Sequence, residues 1–250
     1  MDTLFDYLPK QKIIEAFERS PGNELKEKFR SERSSAALAA NTFGFFLDHP
    51  QRLPSVPHTA DFGWPAVDVN IEASVPFPWW PKGRHPWLDA LAETRTHLIG
   101  IESKRYEPFA GKSAGEFSEA YKRRVWGEKM KPYEALRDQL SDGALRFEHL
   151  DAFQLVKHAF GLRTQADKRG KAAALVYLYA EPEAWPEGRL IAAEARQRHA
   201  AEVERFADLV SGAEVVFRSC TYKELLAAFR QSGDPELSNH ADMIMQKFNP

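Results

Sequence analysis

Apolar residues recur at helical spacing in the first part of the chain. Residues 11–19 form one such segment, in which two isoleucines and a phenylalanine share one face. A proline and a glycine then predict a break, and a second helix is predicted over residues 24–47. Residues 49–65 contain four prolines and a glycine, a composition typical of a connecting loop. We therefore expect a helical extension over residues 1–60 that packs on the rest of the protein.

The hydrophobic period changes to two after this loop. The alternation over residues 66–74 predicts a half-buried strand. Two further apolar, extended segments flank the polar residues 94–97 and together predict a β-hairpin. If Arg95 and Thr96 form its tip, residues of the two strands pair when their numbers sum to 191.

Helices and strands alternate in the C-terminal half. A helix is expected over residues 148–160, with Gly161 ending it. His158, one turn after Gln154, could face a functional site, but a cation near the last carbonyl groups of the helix is favoured. A buried strand, a long helix, a strand and a helix follow at residues 172–180, 191–210, 214–220 and 222–230. Residues 232–250 stay ambiguous. The predicted fold class is α/β, with a central mixed sheet flanked by helices over residues 61–250, as one structural unit with the extension.

Composition narrows the class of protein. The 250 residues have a formal charge of -2 and are 43% hydrophobic, as in ordinary globular proteins. Cys220 is the single cysteine, which excludes an internal disulfide, and the sequence lacks the apolar run of about 18 residues that a membrane span needs. The acidic first residues argue against a secretory signal and favour the cytoplasm. A near-neutral charge gives no overall attraction to nucleic acid, so such a partner would be held locally.

Charged residues meet at the open end of the predicted hairpin. Because 89 and 102 sum to 191, Asp89 stands across from Glu102, and Lys104 leaves its strand on the same face as Glu102. Two facing carboxylates repel each other unless a cation lies between them. Mg²⁺ suits such a site, because it binds one or two carboxylates together with substrate phosphate. The cluster therefore predicts hydrolysis of a phosphodiester, with Lys104 positioning the attacking water.

This arrangement resembles the motif of the PD-(D/E)xK nuclease superfamily, which has the restriction-endonuclease-like fold. Asp89 is followed thirteen positions later by Glu102-Ser103-Lys104 at the end of an apolar strand, and the resemblance covers residues 66–180. The sequence departs from the motif at Leu88, where the family has proline. The resemblance implies that Asp89 and Glu102 hold Mg²⁺ or Mn²⁺ and that Lys104 is catalytic.

The resemblance also implies polar residues on neighbouring helices. In the helix that follows the Lys104 strand, Gln154 is expected in the catalytic site and Lys157 in nucleic-acid binding. Residues 34–41 look like a helix of some uncharacterised bacterial members, with Glu32 as the nearest candidate for an additional helical acid. The competing candidates for this acid are Glu24, Glu27 and, on the first strand, Glu72.

Other basic residues are candidates for phosphate contacts. Arg105 follows the catalytic strand, whereas Lys82 and Arg84 lie in a segment rich in tryptophan and proline. The expected partner is nucleic acid, with DNA ahead of RNA, and a homodimer stays open.

Three other interpretations stay open. The acidic cluster could be an ordinary group of ion pairs on an exposed face of the sheet. The fold could be a catalytically silent module that binds nucleic acid or protein. Residues 111–115 match G-x-S-x-G, which would make Ser113 the nucleophile of a serine hydrolase, although a solvated loop is favoured because residues 108–110 separate it from the strand.

Overall fold

The computed structural model describes residues 3–21, 29–81, 83–111 and 115–250. Four residues singled out from the sequence lie outside these ranges, namely Glu24, Glu27, Lys82 and Ser113. The beginning of the helix predicted over residues 24–47 lies outside them as well.

Five strands form one mixed sheet in the order β1-β2-β3-β4-β5. Their bounds are Ala66–Ser74, Trp87–Thr94, His97–Lys104, Ala172–Tyr179 and Val215–Thr221. The first three strands are antiparallel to one another, and β3, β4 and β5 are parallel. The predicted α/β class with a central mixed sheet is confirmed.

Seven α-helices flank the sheet in the part of the chain that the structure describes. They are α1 (Lys10–Arg19), α2 (Ser35–Phe43), α3 (Lys131–Ser141), α4 (Ala152–Arg169), α5 (Ala193–Leu209), α6 (Tyr222–Gln231) and α7 (Pro235–Phe248). The last of them covers the segment that the sequence left ambiguous; Asp234 caps its N terminus and Pro235 is its first residue. Within the described ranges, no helix has both the length and the apolar character of a membrane span.

The sheet separates two hydrophobic layers. Side chains of α1, α2, α6 and α7 pack on one face, and side chains of α3, α4 and α5 pack on the other. Residues of β3 alternate between the layers, so that Ile99 and Ile101 join the first and Leu98 joins the second. Ile13 and Phe17 of α1 belong to the same hydrophobic layer as Ile99 and Ile101 of β3. The N-terminal helices and the sheet therefore share one core.

The β2–β3 hairpin has the predicted register. Ala90 pairs with Ile101 and Glu93 pairs with Leu98, so that the numbers of each pair sum to 191. On its other side β3 pairs in parallel with β4 along its whole length. The motif strand is thus central in the sheet, and its carboxyl end, beyond Ile101, is paired with β4.

Helix α4 continues past the residue that was predicted to end it. Gly161 lies inside the helix, which ends at Gly170 with a φ of 64°. Gly161 instead permits close packing, because a Cβ there would lie 2.9 Å from the carbonyl oxygen of Val75. A Cβ on Gly100 of β3 would lie 2.6 Å from Leu162 of α4. The two glycines therefore let α4 approach the sheet closely.

Candidate active site

Three acidic residues stand in one row across the antiparallel strands. Glu72 of β1 lies opposite Asp89 of β2, since the paired residues on both sides of them share one register. Asp89 lies opposite Glu102 of β3 by the register of the hairpin, and Glu102 pairs with Tyr177 of β4. Glu72 has a φ of 46°, which is uncommon for a residue other than glycine. The sheet thus concentrates negative charge at one level of three neighbouring strands.

The Asp89 carboxylate lies where the regular pairing of the hairpin ends. Its Oδ2 accepts a hydrogen bond of 2.6 Å from the backbone N–H of Ser103. Burial raises the pKa of Asp89 well above its usual range, and the charges of Glu102 and Glu72 raise it further, against the opposing effects of Lys104 and the Ser103 hydrogen bond. Ionisation of Asp89 is therefore less favourable here than in water, and a bound cation would favour it.

Glu102 forms a buried ion pair with Lys104. The Lys104 ammonium contacts Oε1 of Glu102, and the two side chains are 14% and 2% exposed, respectively. Burial by itself raises the pKa of Glu102, but Lys104 and then His158 outweigh it and lower this pKa to about 2. Burial likewise opposes the charge of Lys104, yet Glu102 and Asp89 raise the pKa of the amine above its ordinary value. The interpretation of this cluster as ion pairs on an exposed face is wrong, because Glu102 is buried.

His158 contacts the second oxygen of Glu102. Its Nδ1 lies 3.1 Å from Oε2 of Glu102, and both side chains are almost fully buried. The prediction that His158 is a cation at the end of its helix is wrong, because α4 extends to Arg169. The sequence signal for its position was present in its spacing from Gln154, one helical turn earlier.

A cavity of about 260 Å³ opens beside Lys104. The Gln154 N–H, in the first turn of α4, donates a hydrogen bond of 3.0 Å to the carboxylate of Asp151, which caps the helix. The Tyr177 hydroxyl, although buried in the core, forms a 2.9 Å hydrogen bond with Nε2 of His199. The polar residues that line the cavity include Lys104, Glu107, His149, Asp151, Gln154 and Tyr177. Gln154 and Lys104 therefore line the same cavity.

Lys157 lies one turn after Gln154 on α4. Its ammonium lies 5.6 Å from the ring centroid of Phe117 and 5.8 Å from that of Tyr121. Burial lowers the pKa of Lys157, and the charges of Asp151 and Glu116 oppose this. The two aromatic contacts restrict the position of the ammonium group.

The structure does not bring Glu32 or Arg105 into this cluster. Both line a larger cavity of about 1050 Å³. Arg105 is 6% exposed, and its guanidinium donates hydrogen bonds to the backbone carbonyls of Glu32 and Phe248. Of the candidates for an additional acid, Glu72 of β1 is the one whose charge raises the pKa of Asp89, in addition to Glu102.

Arg84 is exposed, in the segment rich in tryptophan and proline. Phe77 of this segment is buried and stacks on Trp79 with ring centroids 5.2 Å apart. Trp79 also makes an edge contact with Trp126 at 5.7 Å. The segment therefore packs as a hydrophobic cover, and Arg84 remains available at its surface.

Asp89 and Glu102 are chemically suited to a divalent cation. Among the described residues, no three side chains of Asp, Glu, His or Cys converge as a ready-made metal cluster. Mg²⁺ in phosphoryl-transfer sites needs only one or two carboxylates, because substrate and water supply other ligands. Oε2 of Glu102 is a buried carboxylate oxygen that lies 3.1 Å from Nδ1 of His158 and has no hydrogen bond to a third group among the described residues. A pair of hard oxygen donors with unbalanced negative charge fits Mg²⁺ or Mn²⁺.

The mixed sheet with its acid, acid and lysine cluster defines a restriction-endonuclease-like α/β protein. Residues 4–247 match a family model described as "Restriction Endonuclease associating with ARP". The chain therefore belongs to this family. Searches of curated proteins and of solved structures gave no significant match.

Proposed function

We propose that this protein is a metal-dependent nuclease that hydrolyses phosphodiester bonds of nucleic acid, with DNA as the preferred substrate. The observation that carries the proposal is the buried Glu102–Lys104 ion pair beside Asp89, a carboxylate whose pKa is raised by burial and by neighbouring acids. The family of the chain supports the same reaction class.

Asp89 and Glu102 are the residues that would hold Mg²⁺ or Mn²⁺. When bound, such an ion lowers the pKa of water and neutralises charge that develops on the phosphate. The Ser103 N–H donates a hydrogen bond to one oxygen of Asp89, and Lys104 contacts one oxygen of Glu102, so each carboxylate has a partner that orients it. Glu72 adds negative charge at the same level of the sheet.

Lys104 acts as a charged donor rather than as a general base. Because the pKa of its amine is raised, the ammonium keeps its proton at neutral pH. It can donate hydrogen bonds to the attacking water and to a phosphate oxygen, and it stabilises negative charge in the transition state. Gln154 lines the same cavity and orients the substrate there.

Lys157 and Arg84 are proposed as contacts to the nucleic-acid backbone. Lys157 is partly buried against two aromatic rings, so binding a phosphate costs little side-chain entropy. Arg84 is exposed and free to follow the backbone. Arg105 is buried, so it does not contact the nucleic-acid backbone directly in this proposal. It contributes only its charge, to the larger cavity.

Hydrolysis of single- and double-stranded DNA and RNA, with Mg²⁺, with Mn²⁺ and with EDTA, tests the proposal. We expect metal-dependent cleavage that Asp89→Asn, Glu102→Gln and Lys104→Met each abolish. Glu93→Gln, which removes an acid from the other end of the hairpin, is the matched control and should cleave normally. Cleavage that continues in EDTA, or that survives all three substitutions, would contradict the proposal.

A silent module that binds nucleic acid is the second candidate, since Lys104 occupies Glu102 and the described residues contain no cluster of three metal ligands. This alternative predicts nucleic-acid binding that is independent of divalent ions and no cleavage. The serine-hydrolase alternative predicts labelling of Ser113 by a fluorophosphonate probe. The cytoplasmic location and the homodimer stay predictions from the sequence.

A further inference from the structure

Two buried polar atoms face each other below the Glu102–Lys104 pair. Oε2 of Glu102 and Nδ1 of His158 lie 3.1 Å apart. Neither atom forms a hydrogen bond with any other residue in the described ranges. Oε1, the other oxygen of the same carboxylate, contacts Lys104. Each oxygen of Glu102 thus has a partner of its own, one from the same strand and one from helix α4.

The fold holds His158 at a fixed distance from the strand. His158 is 2% exposed and lies well inside α4. Gly100, two residues before Glu102, and Gly161, three residues after His158, both allow the helix to approach the sheet. His158 is therefore placed by close backbone packing rather than by a flexible segment, and its ring has little freedom to move.

We propose that His158 is a positioning residue for Glu102. Its Nδ1 restrains Oε2, so that the carboxylate stays level with Asp89 instead of rotating fully toward Lys104. The inference rests on the proposed function, because the orientation matters for a cation shared by Asp89 and Glu102. Partners that orient a metal-binding carboxylate typically change metal affinity about 10- to 100-fold when they are removed.

Two substitutions separate positioning from packing. His158→Leu fills the space but leaves Oε2 of Glu102 without its partner. His158→Asn keeps an N–H donor at the position of Nδ1, because the asparagine amide nitrogen lies the same number of bonds from Cα. His240→Leu is the matched control, since His240 is also fully buried but lies on α7, on the opposite face of the sheet.

Mn²⁺ binding to the protein without nucleic acid, followed by electron paramagnetic resonance, is the first measurement. We expect His158→Leu to weaken binding about 10- to 100-fold and His158→Asn to stay within about threefold of the original protein. His240→Leu should bind Mn²⁺ normally while lowering the thermal unfolding temperature. Hydrolysis rates should follow the same order as the affinities.

Normal Mn²⁺ affinity in His158→Leu would overturn the inference, and so would equal losses in the Leu and Asn variants. If the original protein binds no Mn²⁺, the proposed function fails, and the inference is then decided in the metal-free protein. There the carboxyl ¹³C resonance of Glu102, assigned by its loss in Glu102→Gln, should shift in His158→Leu and return in His158→Asn. An unchanged resonance in His158→Leu would reject the positioning role.

Discussion

The two ends of strand β2 each carry an acid, and the surroundings of these acids differ. Near the hairpin turn, Glu93 forms ion pairs with Arg169 and, at 2.9 Å, with Lys171. Burial acts to raise the pKa of Glu93, but Lys171 and Arg169 outweigh it, so that the net shift is downward. At the other end, burial and neighbouring acids raise the pKa of Asp89.

The difference lies in the balance of charge and in access to water. Glu93 is partly exposed and has two cations for one carboxylate. At the open end, Lys104 acts on both Asp89 and Glu102, the charges of Glu102 and Glu72 raise the pKa of Asp89, and His158 lies beside Glu102. An acid at the turn stabilises the fold as ordinary ion pairs do, whereas Asp89 at the open end, whose pKa is raised, reduces stability when it is ionised and provides a ligand for a cation.

Removing the ammonium group of Lys104 from the open end of the hairpin should have the largest effect. Lys104→Met leaves Glu102 buried with His158 alone, and breaking a buried pair in this way costs about 3–5 kcal/mol of unfolding free energy. Cleavage should fall by about 10²- to 10³-fold or more, since a charged donor at the phosphate is lost. Urea unfolding and a cleavage time course measure the two effects. If Lys104→Met were as stable as the original protein, the proposed electrostatic difference between the two ends of β2 would be contradicted.

Removing the excess acid should stabilise the protein. The pKa of Asp89 is higher in the folded protein than its ordinary value of 3.8, so the folded state binds a proton more tightly and stability falls as the pH rises above about 4. Asp89→Asn removes this loss and should raise the unfolding temperature at pH 8 by about 2–4 °C, which corresponds to about 1 kcal/mol.

The gain in stability from Asp89→Asn should shrink as the pH approaches 4. At that pH the folded original protein and the folded variant both carry an uncharged side chain at position 89. Calorimetry at several pH values measures this trend. A gain that does not depend on pH would assign the effect to packing instead of charge.

The two ends of α4 offer the same comparison for nucleic-acid binding. Lys157 lies near the open end, and the exposed Lys168 lies in the last turn of the helix. If Lys157 contacts a phosphate, Lys157→Ala should reduce the slope of log K against log salt by about 0.9 for duplex DNA or about 0.7 for a single strand. Lys168→Ala should leave the slope unchanged. Fluorescence anisotropy in EDTA measures both, and equal slopes for both variants would argue against this contact.

The smallest effect is expected at the turn. Glu93→Gln removes one carboxylate from a partly exposed group, and such pairs contribute about 0.2–1 kcal/mol. Cleavage and Mn²⁺ binding should be unchanged. A loss of cleavage in this variant would mean that the two acids of β2 are not functionally distinct.

Local patterns were sufficient to predict the strands and the hairpin register. Alternation over residues 66–74 and the polar tip at Arg95 and Thr96 fixed which residues face each other. The same register predicts that Asp89 and Glu102 lie close together, directly after the last observed pair of Ala90 and Ile101. Such contacts depend on a few residues close in sequence, which is why one chain suffices to predict them.

Packing between distant elements was harder to predict. Gly161 was expected to end its helix, since glycine commonly does so, but here its missing side chain accommodates Val75. For the same reason a helix-end position was favoured for His158, although its spacing from Gln154 also allowed it to face the site, where it contacts Glu102. Whether Glu32 or Glu72 approaches Asp89 depends on how the N-terminal segment packs on the sheet, which no local pattern records.

Gly100 makes the accuracy of the site depend on a position that carries no functional group. A single added methyl at this position would collide with Leu162, and relief of that collision would lift the helix away from the strand. Gln154, Lys157 and His158 would move with it as one body. Tolerance to sequence change should therefore be lowest at an apolar position that touches neither substrate nor metal, and a library screened only at the charged residues would overlook it.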